Sequence, residues 1–269
     1  MSNEAKEIIR VENLECRYGD ETILRDITFG VKREEIFFIA GRSGCGKTTL
    51  LSNMVGLRNP SRGRVTYFGR DFTGADSVDR MELVKSFGLL FQNNALWSDM
   101  SLAENVALPL VLHTRLPVEI RREIVSLKLA QVGLAGQKDR LPHELSGGMQ
   151  KRAALARALA LDPSILFFDE PTAGLDPITA AQIDDLILEV RKTSGATIVI
   201  VSHSLASIFH IADRMILLGG DGKNILAEGS PEKLAAETGN AEVHEFLRLR
   251  VEIKPSNTPK GSDEAARSE

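Results

Sequence analysis

The stretch Gly41-Arg42-Ser43-Gly44-Cys45-Gly46-Lys47-Thr48-Thr49 carries the residue types needed to grip a polyphosphate. Gly41, Gly44 and Gly46 permit backbone shapes that a Cβ resists. A turn built on them aims several N–H groups at one anion. Lys47 adds a full charge for β- and γ-phosphates, and the Thr48 hydroxyl is placed to ligate Mg²⁺. Further along, Ile165-Leu166-Phe167-Phe168 runs straight into Asp169-Glu170. A carboxylate at the C-terminal end of a buried strand stands where open α/β sheets bind ligands. Asp169 suits Mg²⁺ through water. Glu170, one residue on and pointing another way, suits an attacking water. In Leu145-Ser146-Gly147-Gly148-Met149-Gln150, Ser146 is a natural helix N-cap, and Gly147 and Gly148 let a ligand approach the backbone. With Lys151 and Arg152 next, this reads as a second anion-binding helix N-terminus.

Three single residues are less specific. Gln92 follows the apolar run Phe87–Phe91, where it meets a metal or a water, or merely caps a strand. His203 follows Ala196–Val201, where it reaches a γ-phosphate or is a polar cap. Tyr18 lies in the turn-like stretch Arg17-Tyr18-Gly19-Asp20, where it stacks on adenine or packs.

These residues need elements to hold them. Ile8–Leu14 and Ile23–Val31 alternate in polarity and read as strands; Ile36–Ala40 is continuously apolar and reads as a buried strand. The phosphate loop thus lies between a strand and a helix that takes in Leu50–Val55, the context that gives such a loop meaning. Asn59–Gly63 is a turn, Arg64–Phe68 a short strand, and Ser77–Val84 a helix. Leu102–Leu112, Val118–Val132 and Gly148–Leu161 suit helices, with Pro109 marking a kink and Pro117 a start. They form a helical insertion over about residues 93–160. Ala173–Pro177 is a turn, Ile178–Thr193 an amphipathic helix and Ala196–Val201 a buried strand. A helix from Ser204, a strand Arg214–Leu218, a hairpin to Asn224–Ala227 and helices near Pro231–Ala236 and Ala241–Leu249 complete the folded part. One domain is expected over residues 1–253. Residues 254–269, polar and without apolar period, read as a disordered or partner-ordered tail.

Composition narrows the function classes. The chain has 269 residues, 43 % hydrophobic and 26 % charged, which suits a globular protein with a sizeable core. Net charge is −4 and no arginine-rich stretch interleaves with aromatics, so no nucleic-acid partner is expected. Cys16 and Cys45 form no Cys-x-x-Cys, which fits a reducing cytosol and no metal framework. No stretch is apolar enough to span a bilayer, and Met1–Arg10 lacks the apolar core of a signal peptide. Any role at a membrane calls for other chains to do the crossing.

Taken together the motifs resemble those of the ATP-binding cassette (ABC) ATPases, over Ile8 to about Leu249. In that resemblance the phosphate loop is the Walker A and Phe168-Asp169 closes the Walker B. LSGGM is the signature, with Met149 in place of the usual glutamine. Gln92 is the Q-loop glutamine, Asp176 the D-loop residue, His203 the switch histidine and Tyr18 the adenine-stacking aromatic. The resemblance implies an α/β P-loop NTPase cassette: a RecA-like core with an N-terminal antiparallel β-subdomain and an α-helical subdomain. It implies ATP and Mg²⁺ as ligands, with Thr48, Gln92 and Asp169 at the metal, and Glu170, His203, Lys47 and Gln92 in catalysis. It also implies a head-to-tail homodimer in which Ser146-Gly147-Gly148 of one copy closes on nucleotide held by Gly41–Thr49 of the other, and an integral membrane permease that rides on the closure.

The stretches LLFQNNALWSDMSLAENVALPL, ELSGGMQKRAALARALALDP and DEPTAGLDPIT look like the MlaF-type branch, the ATPases of phospholipid-trafficking (Mla) systems of Gram-negative bacteria. That branch implies lipid transport, attachment to the cytoplasmic face of the inner membrane, and an MCE-domain protein and a small STAS-domain subunit as partners. Leu96 and Trp97 become candidates for the permease contact. Other classes fit less well. A cassette for a nutrient or a lipoprotein shares the same phosphate site. Cassettes of DNA repair carry long coiled coils or zinc modules, and those of translation pair two cassettes in one chain. A scaffold that binds ATP without hydrolysing it has no use for Glu170 and His203.

Overall fold

The computed structural model describes residues 7–219, 223–237 and 239–248; the tail expected over residues 254–269 lies outside them. Among these residues two sheets form. The first is antiparallel in the order β2-β1-β4-β5, with β1 Glu7–Tyr18, β2 Glu21–Lys32, β4 Arg62–Tyr67 and β5 Arg70–Asp71. The second has the order β10-β9-β3-β8-β7-β6, with β3 Ile36–Ala40, β6 Phe87–Leu90, β7 Ile165–Asp169, β8 Thr197–Ser202, β9 Arg214–Leu218 and β10 Ile225–Gly229. It is parallel except for its edge strand β10, which returns antiparallel to β9. The helices are α1 Lys47–Met54, α2 Ser77–Val84, α3 Leu102–His113, α4 Val118–Gln131, α5 Gly147–Ala158, α6 Pro177–Ser194, α7 Leu205–Ile211, α8 Pro231–Glu237 and α9 Ala241–Arg248.

The continuous apolar runs conceal a period of two. In β3, Phe37 and Ile39 face α1 and the antiparallel sheet, whereas Ile36, Phe38 and Ala40 face the other helices. β7 and β8 divide in the same way, Phe167 and Val199 to one side, Phe168 and Ile200 to the other. A parallel sheet covered on both faces has no use for polar residues in its strands. Tyr67 fixes the antiparallel sheet to this layer: it is fully buried against Phe72, Phe87 and Phe167, and its hydroxyl donates to the Met54 carbonyl at 2.7 Å. The helical insertion packs α3 and α4 on α5. Within it the fully buried Asn105 fastens the loop before α3, donating to the carbonyls of Trp97, Met100 and Ser101 and accepting from the Trp97 N–H.

Some expectations shift in detail. The strand before Gln92 ends at Leu90, leaving Phe91 half-buried outside it. α1 starts at Lys47, ahead of the apolar run, because the loop itself supplies its N-terminus. α5 starts at Gly147 and ends at Ala158. α3 is a single helix through Pro109. β5 was not anticipated; its two residues carry no alternation to detect.

Candidate functional site

The register of the parallel sheet gathers the candidate residues along one edge. Ala40 pairs with Ser202 and Asp169 with Val201, so the strand ends leading to Gly41, Glu170 and His203 lie side by side. This is the edge where open α/β sheets bind ligands.

The phosphate loop needs its glycines for different reasons. Gly46, the N-cap of α1, has φ +102°, and a Cβ there would press on Ile23 and Leu24 at 3.0 Å. Gly44, at φ +83°, has open space around it, so only its backbone shape demands glycine. Arg42, Ser43 and Gly44 are exposed, Cys45 and Thr49 half-buried. The Lys47 side chain is buried and curls back over the loop, its Nζ donating to the Gly41 carbonyl at 2.9 Å and the Arg42 carbonyl at 3.1 Å. Burial pushes the Cys45 thiol up, against the pull of Lys47.

Asp169 and Glu170 face different ways, as adjacent residues at a strand end should. Thr48 Oγ1 donates to Asp169 Oδ1 at 3.3 Å, joining the loop to β7. Burial pushes the Asp169 carboxyl up and neighbouring Glu170 adds to that, while the Thr48 hydrogen bond, Lys47 and Lys151 pull it down. Glu170 adopts φ +48°, a left-handed conformation that costs a non-glycine residue about 1 kcal/mol or more. Its N–H donates to the Val201 carbonyl at 2.9 Å. Both carboxylate oxygens are held: Ser202 Oγ donates to Oε2 at 3.2 Å, and His203 Nδ1 lies 2.7 Å from Oε1. The sequence leaves His203 between a γ-phosphate contact and a polar cap; here one ring nitrogen is engaged by Glu170, and the ring is otherwise largely exposed.

The signature segment matches expectation at Ser146 and Gly147 and departs from it at Gly148, Lys151 and Arg152. Ser146 caps α5 by accepting from the Met149 N–H at 3.3 Å. Gly147 is exposed, with only Leu175 near a would-be Cβ at 3.5 Å, so a ligand can approach it. Gly148 is buried, and a Cβ there would meet Thr179 at 2.6 Å; its small size serves helix packing. Lys151 and Arg152 do not add charge to this helix N-terminus. Arg152 bonds the Val132 carbonyl, and Lys151 points inward to the carbonyls of Gln92 and Glu170. Spacing alone gives no direction for a side chain one turn into a helix.

Asp176 is the N-cap of α6. Its carboxylate accepts from the N–H groups of Ile178 and Thr179 and from Thr179 Oγ1, and these bonds hold it below the usual carboxylate range. The Gln92 side chain is exposed just beyond β6, and Tyr18 is exposed with the Arg58 guanidinium over one ring face at 4.8 Å. Trp97 is exposed while Leu96 leans on the core, which divides the two candidate contact residues.

A residue that sequence reading missed lies next to this edge. Asp184 on α6 is buried, and its Oδ1 has no hydrogen-bond partner among the described residues. With Glu170, His203, Ser207 and His210 it lines a cleft of about 500 Å³. Burial pushes the Asp184 carboxyl up to about 6, against the pull of Ser207 and His210. The folded chain therefore holds this proton more tightly than the unfolded chain, where aspartate titrates near 3.9. Stability from this group is lost as pH rises through that window and stays lost above it. Asp184→Asn, neutral throughout, is expected to stabilise the protein by about 1–3 kcal/mol near pH 8. The gain should shrink as pH falls below about 6, and denaturant melts at about pH 8 and about pH 5 check it. An equal gain at both pH values would rule out titration as its source.

The comparisons agree with this geometry. A family profile described as ABC transporter matches residues 24–173. The chain is 40 % identical over 241 residues, 90 % of each protein, to the Haemophilus influenzae "Intermembrane phospholipid transport system ATP-binding protein MlaF". It is 37 % identical over 261 residues to the Mycobacterium tuberculosis "Probable ribonucleotide transport ATP-binding protein mkl", covering 97 % of this chain and 72 % of that one. Among solved structures it is similar to the ATP-binding cassette MJ0796, described as a dimeric post-hydrolysis state bound to ADP and Pi, with a TM-score of 0.75, 30 % identity, and coverage of 82 % of this chain and 98 % of that one. A phosphate loop, a strand-end carboxylate pair and a capped glycine helix in this topology, with these likenesses, place the chain in the ABC transporter family as an ATP-hydrolysing cassette.

Proposed function

We propose that this chain is the ATP-hydrolysing subunit of a transporter that moves phospholipids. In this reading it works as a homodimer on an integral membrane permease at the cytoplasmic face of a bacterial inner membrane. An MCE-domain protein and a STAS-domain subunit complete the assembly. The observation that carries the hydrolytic part is the doubly held Glu170 carboxylate, beside the Lys47 loop at one sheet edge. The lipid assignment draws on the likeness to the H. influenzae intermembrane phospholipid transport ATPase.

Each residue then has a role. The N–H groups of Gly41–Thr49 and the Lys47 ammonium bind the triphosphate, and the N-terminus of α1 adds positive potential. Tyr18 stacks on the adenine with the ring face that Arg58 leaves free. Glu170 accepts a hydrogen bond from the attacking water and orients it. Ser202 and His203 fix the plane of that carboxylate, so the water meets a single geometry. Thr48 and Asp169 offer oxygen donors on adjoining elements, a chemistry that fits Mg²⁺, and Gln92 follows Leu90, which pairs with Phe168 beside Asp169. Bound Mg²⁺ supplies neutralisation of phosphate charge. Ser146 and Gly147 present the N-terminus of α5 to nucleotide on the partner copy, with Gly148 seating the helix on α6 and Asp176 fixing the turn before α6. In the dimer each polypeptide thus completes the other's site.

Affinity purification of the full chain from native membranes, with mass spectrometry of bound proteins and lipids, tests the proposal. A permease with an MCE-domain protein and glycerophospholipid is the expected result. Capture of a permease without lipid, and with nucleotide beyond the two cassette sites of the dimer, would favour ribonucleotide transport and overturn the lipid assignment.

A further inference from the structure

Lys151 is buried, 4 % exposed, and its ammonium is held by backbone carbonyls rather than by a carboxylate. Buried lysines are rare, and an uncompensated one is costly. This ammonium finds two backbone carbonyls instead: Gln92 at 2.5 Å and Glu170 at 3.3 Å. Burial lowers its proton affinity, and the field of Asp169 and Glu170 works the other way. One turn or more along the same helix, Arg157 donates to the carbonyls of Asn94 at 2.8 Å and Ala95 at 2.6 Å. Asn94 and Ala95 both adopt positive φ, +62° and +50°, so the segment they bend is one that needs holding. Gln150 adds a side-chain contact to Asn94 at 3.4 Å. The helix capped by Ser146 is thereby fastened to the backbone on both sides of the reacting centre: to the segment after β6, and to the turn carrying Glu170.

We infer that Lys151 is a positioning residue for hydrolysis, tying the signature helix to the Gln92 and Glu170 backbones within one chain. Glu170 is the part with most to lose. Its left-handed turn is supported on one side by the Val201 carbonyl and on the other by the Lys151 ammonium, and its carboxylate is useful only if that turn is fixed. A helix displaced by closing on the partner's phosphates would carry the Glu170 carbonyl with it. The inference rests on Glu170 acting on the attacking water.

Lys151→Met keeps the length and apolar volume of the side chain and removes its donors. In full chain purified with its membrane partners, kcat for ATP is expected to fall about tenfold or more, with KM for ATP within about threefold of wild type. The melting temperature should stay within a few degrees of wild type, the loss of two hydrogen bonds being offset by removal of a buried charge. Lys151→Arg, which can still donate to two carbonyls, should recover a substantial part of kcat. A merely structural lysine predicts the reverse: near-normal kcat in a folded Met variant, or loss of melting temperature and activity together with no rescue by Arg, and either result overturns the inference. If the Met variant does not fold, Lys151→Gln, which keeps a donor without the charge, is read by the same kcat-against-KM comparison. Glu170→Gln is assayed in parallel. If it remains active, the reading of Glu170 fails; if it is inactive while Lys151→Met is not, only the role of Lys151 fails.

Discussion

Glu170→Gln is expected to lower ATP turnover at least about a hundredfold while ATP binding persists. The amide nearly matches the carboxylate in shape, so the Ser202 and His203 contacts at 3.2 Å and 2.7 Å are perturbed little in position. What changes is chemistry. A carboxylate offers a full negative charge and two oxygens with lone pairs to spare beyond those engaged by Ser202 and His203. An amide has one acceptor oxygen and no charge, so the attacking water loses its acceptor. The binding residues are elsewhere, in Gly41–Thr49 and at Tyr18, and are not touched by the exchange. ATP then stays bound and uncleaved, and the dimer closed by it should accumulate in size-exclusion chromatography with ATP and Mg²⁺. Turnover within a few-fold of wild type would remove Glu170 from its proposed role. Loss of ATP binding alongside turnover would mean that the substitution damages the loop, and that the charge is structural.

How far such roles can be read in advance depends on the range of the interaction. The positive φ of Gly44 and the Ser146 cap are local devices. Their causes lie within a few residues, so spacing in the chain is spacing in the fold. The buried strands were legible for a related reason: continuous apolar runs bounded by turns fit a two-sided parallel sheet. Gly148 was misread because the atom that demands its small size belongs to Thr179 on another helix. The engagement of His203 with Glu170 was not legible because it spans two strands. Lys151 was counted toward an anion site because nothing near it in sequence tells that it crosses to Gln92, 59 positions away. Asp184 gave no signal at all: an aspartate in an amphipathic helix is ordinarily a solvated residue, and only packing against α7 buries it.

The same distinction bears on how hydrolysis is organised. Residues that grip phosphate are encoded in one short stretch and are present whenever the strand–loop–helix unit folds. Residues that orient the water are set by the mutual placement of β7, β8 and α5. Binding should therefore survive many distant substitutions that abolish turnover, whereas a substitution in the loop should remove both.

Lys47→Ala is the substitution for which that contrast is sharpest. ATP affinity is expected to fall about ten- to a hundredfold, the scale of a charge-assisted hydrogen bond to phosphate, and hydrolysis is expected to become undetectable. The Lys47 ammonium lies over the loop mouth, bonded to the Gly41 and Arg42 carbonyls, at the position where the outer phosphates must enter. Those carbonyls are neutral, so the more highly charged phosphates outcompete them for the ammonium without moving the side chain far. Alanine removes the charge and also the link across the loop, so lost affinity could arise from either cause. Comparison of nucleotides separates them. If the charge acts on the β- and γ-phosphates, ATP and ADP should lose affinity while AMP, held by Tyr18 and the α-phosphate contacts, loses little. A loosened loop would weaken all three alike. Calorimetric titration of each nucleotide against wild type and variant decides, and unchanged ATP affinity would remove the phosphate-loop assignment altogether.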